Sequence, residues 1–414
     1  SGLTISSSDN CLQITGGVSY EFNWGDYAGA AWAVNTNAGA YNIPDNNGVA
    51  PAELDWSSKV EAWLKFVGTA SSDFGPASAT IKLKSVQHTV VENEALVAGK
   101  VAPWGGAVAG AGGDETFGVI LDEAFVSVGD TTTIMAGKKG SIQNLGDDVP
   151  YNFLGLFNSE KVDTGVRAAA GYRPEVGGHV IQVVSTVADG VTLKAGLENL
   201  NGTAAQAGTA VGVIEYAGNG IKAHVTGMAG GILDGNVEAW ALHAGFTGTF
   251  DNFAVTAAGA YGYDNVAAQS YWNVLASAKA TFDIFEIALS GEANDGSAAA
   301  VNSQAGFGGS IGATVTEGVK LNLGARWFDE NTNVADTETL QIAAQVVAAV
   351  SESITLTGEV GLFSTNEAVA TQSDLYGSAQ LAWAPGGGFT SSIKGEVHST
   401  GAYKVTFKAA KEFK

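Results

Sequence analysis

Along most of the chain, apolar and polar residues alternate with period two. In the clearest run, Val319, Leu321, Leu323, Ala325 and Trp327 share one side, and Lys320, Asn322, Gly324 and Arg326 the other. Successive side chains of a strand face opposite sides, so this run predicts a strand with one apolar and one polar face. The same pattern fits 191–199 (Thr192, Lys194 and Glu198 on the polar face), 285–293 (Glu286, Ser290, Glu292), 354–362 (Thr355, Thr357, Glu359) and 403–413 (Lys404, Thr406, Lys408, Glu412). Gly and Ala recur on both faces. Stretches at 188–190, 218–220, 251–252, 316–318, 351–353 and 385–388 are short and polar or Gly-rich, as tight hairpins require. The connections between those hairpins tend to be longer, and three are very long: roughly 25–54, 89–116 and 141–178. Tight turns at one end and long loops at the other are the layout of a transmembrane β-barrel with short periplasmic turns and long extracellular loops; a soluble sandwich has no reason to segregate its loops by length.

About twenty antiparallel strands are expected, an even number that returns both termini to one side; sixteen or eighteen stay open. The spans are 11–24, 55–69, 77–88, 117–129, 131–140, 179–187, 190–199, 209–217, 220–229, 237–249, 253–263, 270–282, 285–294, 304–316, 319–329, 337–350, 353–363, 374–384, 388–398 and 402–413. Each is near or above the ~9–11 residues that a tilted membrane strand needs. Rings mark the strand ends. Phe250 and Phe253, Phe282 and Phe285, and Trp383 and Phe389 flank short turns. Tyr261, Tyr263, Tyr271, Trp272, Trp327 and Phe328 lie at the opposite ends. Rings at both ends of outward faces read as interfacial girdles.

Composition narrows this further. The chain has 414 residues, 45% hydrophobic and only 15% charged, with 56 Gly and 7 Pro. No Ser/Pro-rich linker divides it, so 1–414 is read as one barrel domain. No run approaches the ~18 consecutive apolar residues of a membrane-spanning helix. There is no basic, apolar leader at the start, so the chain reads as a mature protein whose export signal has been removed. Acids number 42 against 20 bases, a net charge of −22. That balance opposes nucleic-acid binding, which needs a basic face. A single cysteine excludes an internal disulfide framework and a Cys-rich zinc site.

Catalytic and cofactor chemistry is absent from the pattern. His88, His179, His224, His243 and His398 are scattered without metal-ligand spacing, and neither a nucleophile elbow nor a phosphate loop occurs. No catalytic residue, metal site or cofactor is expected. Acid-rich loops leave room for a divalent cation: Asp45 and Glu53; Glu92, Glu94, Asp114 and Glu115; Asp329, Glu330, Asp336 and Glu338.

The segment Asp9-Asn-Cys-Leu-Gln-Ile-Thr-Gly-Gly17 resembles the mature N-terminus of the alphaproteobacterial general porins, the family of the Brucella and Rhizobium porins. Leu121-Asp-Glu-Ala-Phe-Val-Ser-Val-Gly129 with Ala136-Gly-Lys138 is similar to that family's strand and to its motif before the pore loop. Leu381-Ala-Trp-Ala-Pro385 resembles its Trp-Ser-Pro turn, and 403–413 its final strand. Glu123 stands where the family has an arginine, and about twenty strands exceed its usual sixteen. The resemblance implies a bacterial outer-membrane protein, surrounded by lipid and lipopolysaccharide. It would be a homotrimeric, water-filled channel with its third extracellular loop folded into the lumen.

In such a channel 141–178 is the constricting loop, and Asp147, Asp148, Glu160 and Asp163 are its acids. Lys59, Lys65, Lys82 and Lys84, on polar faces of early strands, are candidate facing bases. Lys138 is placed with them by the family motif, and Arg167 and Arg173 by their position in the loop segment. A transverse field between acids and bases orders water and favours polar permeants. The expected function is general diffusion of ions and small hydrophilic solutes, with mild cation preference. A solute-specific channel, for sugars for example, would need a line of inward rings, and only Trp63 and Tyr376 are obvious ones. A structural or adhesive barrel with a plugged lumen is the third reading.

Overall fold

The computed structural model describes residues 3–7, 10–27, 54–92, 95–96, 118–145, 150–154, 166–169, 171–202, 207–299, 301–335, 337–366 and 372–413. Its strands are β1 (Leu3–Ser6), β2 (Asn10–Asp26), β3 (Asp55–Ala70), β4 (Ala77–Glu92), β5 (Ala95–Leu96), β6 (Ile120–Gly129), β7 (Thr132–Lys139), β8 (Gly178–Ala188), β9 (Val191–Glu198), β10 (Thr209–Gly218) and β11 (Ile221–Gly230). They continue with β12 (Ala239–Phe250), β13 (Phe253–Asp264), β14 (Gln269–Phe282), β15 (Phe285–Gly296), β16 (Gln304–Thr316), β17 (Val319–Asp329), β18 (Glu338–Ser351), β19 (Ile354–Thr365), β20 (Gln372–Gly386), β21 (Phe389–His398) and β22 (Tyr403–Phe413).

Twenty of these strands form a closed antiparallel barrel. Neighbours in sequence pair with each other, and β2 meets β22 in register from Gly16↔Phe413 to Asp26↔Tyr403. The sequence reading overlooked two short strands. β5 pairs only with the outer end of β4. β1 lies against 11–14 of β2, beyond the point where β22 ends. Four residues are too few to show a period on their own, yet Leu3 and Ile5 stand opposite Ile14 and Leu12, on the outer face.

Two-residue turns join strands at one end, at 189–190, 219–220, 251–252, 283–284, 317–318, 352–353 and 387–388. At 219–220 both residues have positive φ, Asn219 at 52° and Gly220 at 76°, the conformation Asn-Gly adopts in a hairpin whose twist matches its strands. The connections at the other end are longer, and the third of them runs from 140 to 177.

Alternation sorts the side chains as the sequence suggests. Leu321 (45% exposed) and Leu323 (53%) face outward, while Arg326 (2%) faces in. Phe250, Phe253, Phe282, Phe285 and Trp383 are exposed at the short-turn end, and Tyr261 and Trp272 at the other. Tyr271 and Phe328 do not belong to the outer girdle. They are buried and point inward, because consecutive strand residues cannot share a face: Trp272 and Trp327 took the outward places. The lumen therefore holds the buried polar residues, and the small apolar clusters lie between the wall and the third loop.

Candidate functional site

The long segment before β8 enters the barrel. Going out, the Ile142 N–H donates to Glu198 on β9 (2.9 Å), and the Asn144 N–H to Thr226 Oγ1 on β11 (3.1 Å). Farther on, the Tyr151 N–H donates to Ser277 Oγ on β14 (2.8 Å), and Arg326 Nη1 on β17 donates to the Leu154 carbonyl (3.0 Å). Leu154 also packs with Ala343 and Tyr376, so the loop reaches the inner face of β20. Coming back, Val166 packs with Ala258, Ala260 and Leu275, and Tyr172 stacks on Tyr271 at 5.7 Å. The Gly177 N–H closes the circuit by donating to Glu198 Oε2 (2.8 Å). Every partner lies on the lumen face, so the loop lines the inside of the wall from β9 to β20.

Two sequence features admit the loop. Inward glycines leave room for it: a Cβ at Gly262 would strike the Tyr172 carbonyl, and one at Gly324 would lie 2.5 Å from Phe153. The alternation of the sequence had already put Gly324 on the inner face. The second feature is Glu198, which is fully buried and accepts from Ile142, Gly177 and Gln182 Nε2 (2.8 Å). It ties both legs of the loop at their base. Its polar-face position was legible; its role was not, because its partners are backbone groups distant in sequence.

The opposite arc, β2 to β7 with β21 and β22, carries lysines. Lys84 pairs with Glu61 (3.3 Å), Lys65 with Glu123 (3.5 Å) and Lys82 with Asp122 (2.7 Å). Lys82 also stands over the Trp63 ring. Asp122 is the extra residue of a bulge between β4 and β6, which aims it and Glu123 toward the lysines. Lys408 pairs with Glu21 (2.9 Å), and Lys59 lies directly opposite Glu21 in register. Lys394, Glu396, His398 and Asp374 continue the chain of charges, with Lys394 to Glu396 at 2.7 Å and His398 Nδ1 to Asp374 at 2.6 Å.

The structure divides the candidate residues of the sequence. Lys59, Lys65, Lys82 and Lys84 share the lumen wall. Lys138 does not join them: it stands opposite Ala124, on the face of Val126 and Ile134, and reaches the Leu121 carbonyl. Lys139 takes the inward place, over the Phe125 ring. Arg167 and Arg173 lie on the returning leg of the loop, across from the lysines. Burial holds the Arg173 guanidinium below its usual pKa, the Arg167 charge acts the same way, and Glu175 opposes both. Asp147, Asp148, Glu160 and Asp163 lie outside the described residues.

The inward rings also number more than the sequence suggested, because Phe125, Tyr271, Phe328 and Phe363 join Trp63 and Tyr376. Tyr271 and Tyr376 meet the loop, so they seat it and do not form an open track. Among the described residues no group of three or more His, Cys, Asp or Glu could hold a metal. Of the loop acids suggested for a cation, Asp329 accepts from Thr337 (2.6 Å) and Glu338 from Asn366 (3.3 Å). Asp45, Glu53, Glu94, Asp114, Glu115 and Asp336, and the Glu92 side chain, lie outside the described residues.

Two solved structures align with this chain at low similarity. A multiply substituted mutant of the Rh. blastica porin is 10% identical, over 97% of this chain and all of that one, with a TM-score of 0.41. OmpT of Vibrio cholerae without its loop L8 is 8% identical, over 98% of this chain and all of that one, at 0.38. Likenesses this distant carry no weight for function. No family model and no curated protein matches the sequence.

Proposed function

We propose that the chain is an outer-membrane general diffusion porin of a Gram-negative bacterium, passing ions and small hydrophilic solutes down their gradients. The observation that carries this reading is a closed barrel with an apolar, ring-edged outer face and a charged lumen that its own loop narrows. Closed barrels satisfy every strand hydrogen bond, which lipid demands of a spanning structure. An inner face of paired lysines and carboxylates suits hydrated ions and dipolar solutes. The constriction lies between the loop and the lysine arc. Asp147 and Asp148, on the segment between Asn144 and Tyr151, and Glu160 and Asp163, between Leu154 and Val166, would supply its acids. The solute-specific alternative draws no support from Tyr271 and Tyr376, since both meet the loop.

The test is single-channel recording in planar bilayers. An open conductance that rises in proportion to salt supports general diffusion. Saturation by one solute selects the specific channel, and a silent, correctly folded barrel ends the diffusion reading in favour of a structural one.

A further inference from the structure

The lumen wall has a hollow near its short-turn end. Lys59, Glu21, Lys408, Ser392, Ala382 and Thr355 form one inward row, in register across β3, β2, β22, β21, β20 and β19. The first three side chains are long and charged, and the last three are short. Beside this row Ala410 stands opposite Thr390, and both are short as well. Long side chains at one edge and short ones across the floor leave a cavity of about 470 Å³ between β3 and the turn at 352–353. Small-molecule sites measure roughly 300–1,000 Å³. No described residue of the third loop lines it. Tyr376, where Leu154 packs, lies farther along β20 toward the long-loop end.

The charged edge is unevenly paired. Glu21 accepts from Lys408 (2.9 Å) and from Asn23 Nδ2 (2.9 Å), and Glu61 pairs with Lys84 (3.3 Å). Lys59 lies opposite Glu21 and next to Glu61 on the same face of β3, yet among the described residues it forms no ion pair. The hydroxyls of Thr355, Thr390 and Ser392 also have no partner among the described residues. A bare anion at Lys59 would meet Glu21 and Glu61. A bare cation at either acid would meet Lys59 and the lysine already bound there. A solute carrying both charges avoids both repulsions. Its carboxylate takes the unpaired ammonium, and its ammonium takes a lone pair of Glu21 or Glu61, each of which offers about four acceptor sites. Directly opposed residues have Cβ atoms ~4.5–5.5 Å apart, so one α-amino acid can touch Lys59 and Glu21 together.

We propose that this hollow is a subsite for α-amino acid zwitterions on the permeation path. Lys59 takes the carboxylate, Glu21 or Glu61 takes the ammonium, and the solute's side chain lies over Ala410 and Thr390. The proposal rests on the channel reading above and names which of the small hydrophilic solutes is retained. Retention is brief, because charged contacts bathed in water are weak, so the salt current still rises in proportion to salt.

Saturation-transfer difference NMR of the full-length chain in detergent micelles tests this, with L-alanine as the probe. L-alanine is expected to give a saturable methyl signal, and lactate, ethylammonium and glucose at the same concentration much weaker ones. Lys59→Met should weaken alanine binding about fivefold, the upper end for an exposed charge pair. Ala410→Phe fills the hollow and should abolish binding, while Lys320→Met, on the far lumen wall, should leave it unchanged. No alanine signal, a lactate signal equal to it, equal signals from all four solutes, or wild-type binding by Lys59→Met would each overturn the proposal. If Ala410→Phe does not fold, Lys59→Met still decides, since that lysine has no ion pair to lose. Binding is read without current, so the two readings fail separately. A barrel silent in bilayers that binds alanine refutes the channel and keeps the amino acid site; an open channel that does not bind it does the reverse.

Discussion

The lumen wall has two arcs built by different rules. On β2 to β7 with β21 and β22, several inward residues are long and charged, and Lys65, Lys82, Lys84 and Lys408 each meet an opposite charge on another strand. On β9 to β20 many inward residues are small, and the loop covers them through hydrogen bonds to Glu198, Thr226, Ser277 and Arg326. The second arc borders the loop, and it also carries the Lys279–Glu286 and Lys320–Glu286 pairs. The same period-two pattern therefore serves two ends: one arc presents paired charges inward, and the other seats a loop.

The largest expected effect is on the outer side of the loop-seating arc, where the contrast between the arcs vanishes because both outer faces are apolar. Leu321→Arg puts a charge on the exposed outer face of β17 and should cost about 2–4 kcal/mol if the residue lies near the bilayer midplane. Urea unfolding of the protein in lipid vesicles measures it. A loss below a few tenths would mean that β17 does not face lipid.

Filling the loop seat ranks next. Gly262→Val drives a side chain into the Tyr172 carbonyl. Overpacking of this kind typically costs about 1–3 kcal/mol. The loop can escape into the lumen, so conductance should also change. The corresponding enlargement on the open arc, Ser19→Val, has no loop to displace and should leave the conductance near wild type. Equal changes in the two variants would erase the distinction between the arcs. Glu198→Ala acts on the same loop by another route. It leaves the Ile142 and Gly177 N–H groups without their acceptor, at about 1–3 kcal/mol for each buried donor that finds no water. Noisier open-channel current is the expected sign, and Glu198→Gln, which keeps one acceptor oxygen, should be quieter than Glu198→Ala.

The barrel was legible because a closed sheet with lipid outside and water inside must repeat one rule on every strand. Val319 to Trp327 states it in nine residues, and the Asn219-Gly220 turn shows where the strand reverses. What stayed hidden depended on single-residue parity or on contacts across the lumen. Lys138 and Lys139 are adjacent lysines of which one must face out, and family likeness selected the outward one. Tyr271 and Phe328 erred in the same way, each paired with a neighbour that took the outer face. Arg326 reads as one more polar-face cation, but the carbonyl it serves, on Leu154, is far away along the chain. No local pattern announces such a partner; only the run of inward glycines, Gly262 and Gly324 among them, hints that backbone passes close by.

On the charged arc, neutralisation should leave the fold almost untouched and alter only the current. Lys65 and Lys82 are partly exposed, with side-chain accessibilities of 36% and 27%, and their ion pairs are worth ~0–1 kcal/mol each. Replacing both with Met should shift the reversal potential in a salt gradient toward cations. It also leaves Glu123 and Asp122 without their lysines, which strengthens the shift. An unchanged potential would mean that this arc does not border the conducting path.

The smallest structural effect and the sharpest functional contrast belong to the loop's own acids. Asp147 and Asp148 sit on the segment between Asn144, bonded to β11, and Tyr151, bonded to β14. The chain's net charge of −22 does not set selectivity, because exposed charges beyond ~8–10 Å are screened at physiological salt. What acts on a permeant is the charge within that distance at the narrowest point. If the two aspartates oppose the lysine arc there, Asp147→Asn with Asp148→Asn removes the negative side of the field and leaves Lys59, Lys65, Lys82 and Lys84 in place. The reversal potential should then move toward anions, opposite in sign to the Lys65 and Lys82 change, with conductance and stability close to wild type. Shifts of opposite sign from the two arcs would place the constriction between them. A shift from the lysines with none from the aspartates would put this acid pair away from the path and leave Glu160 and Asp163 as the loop's contribution.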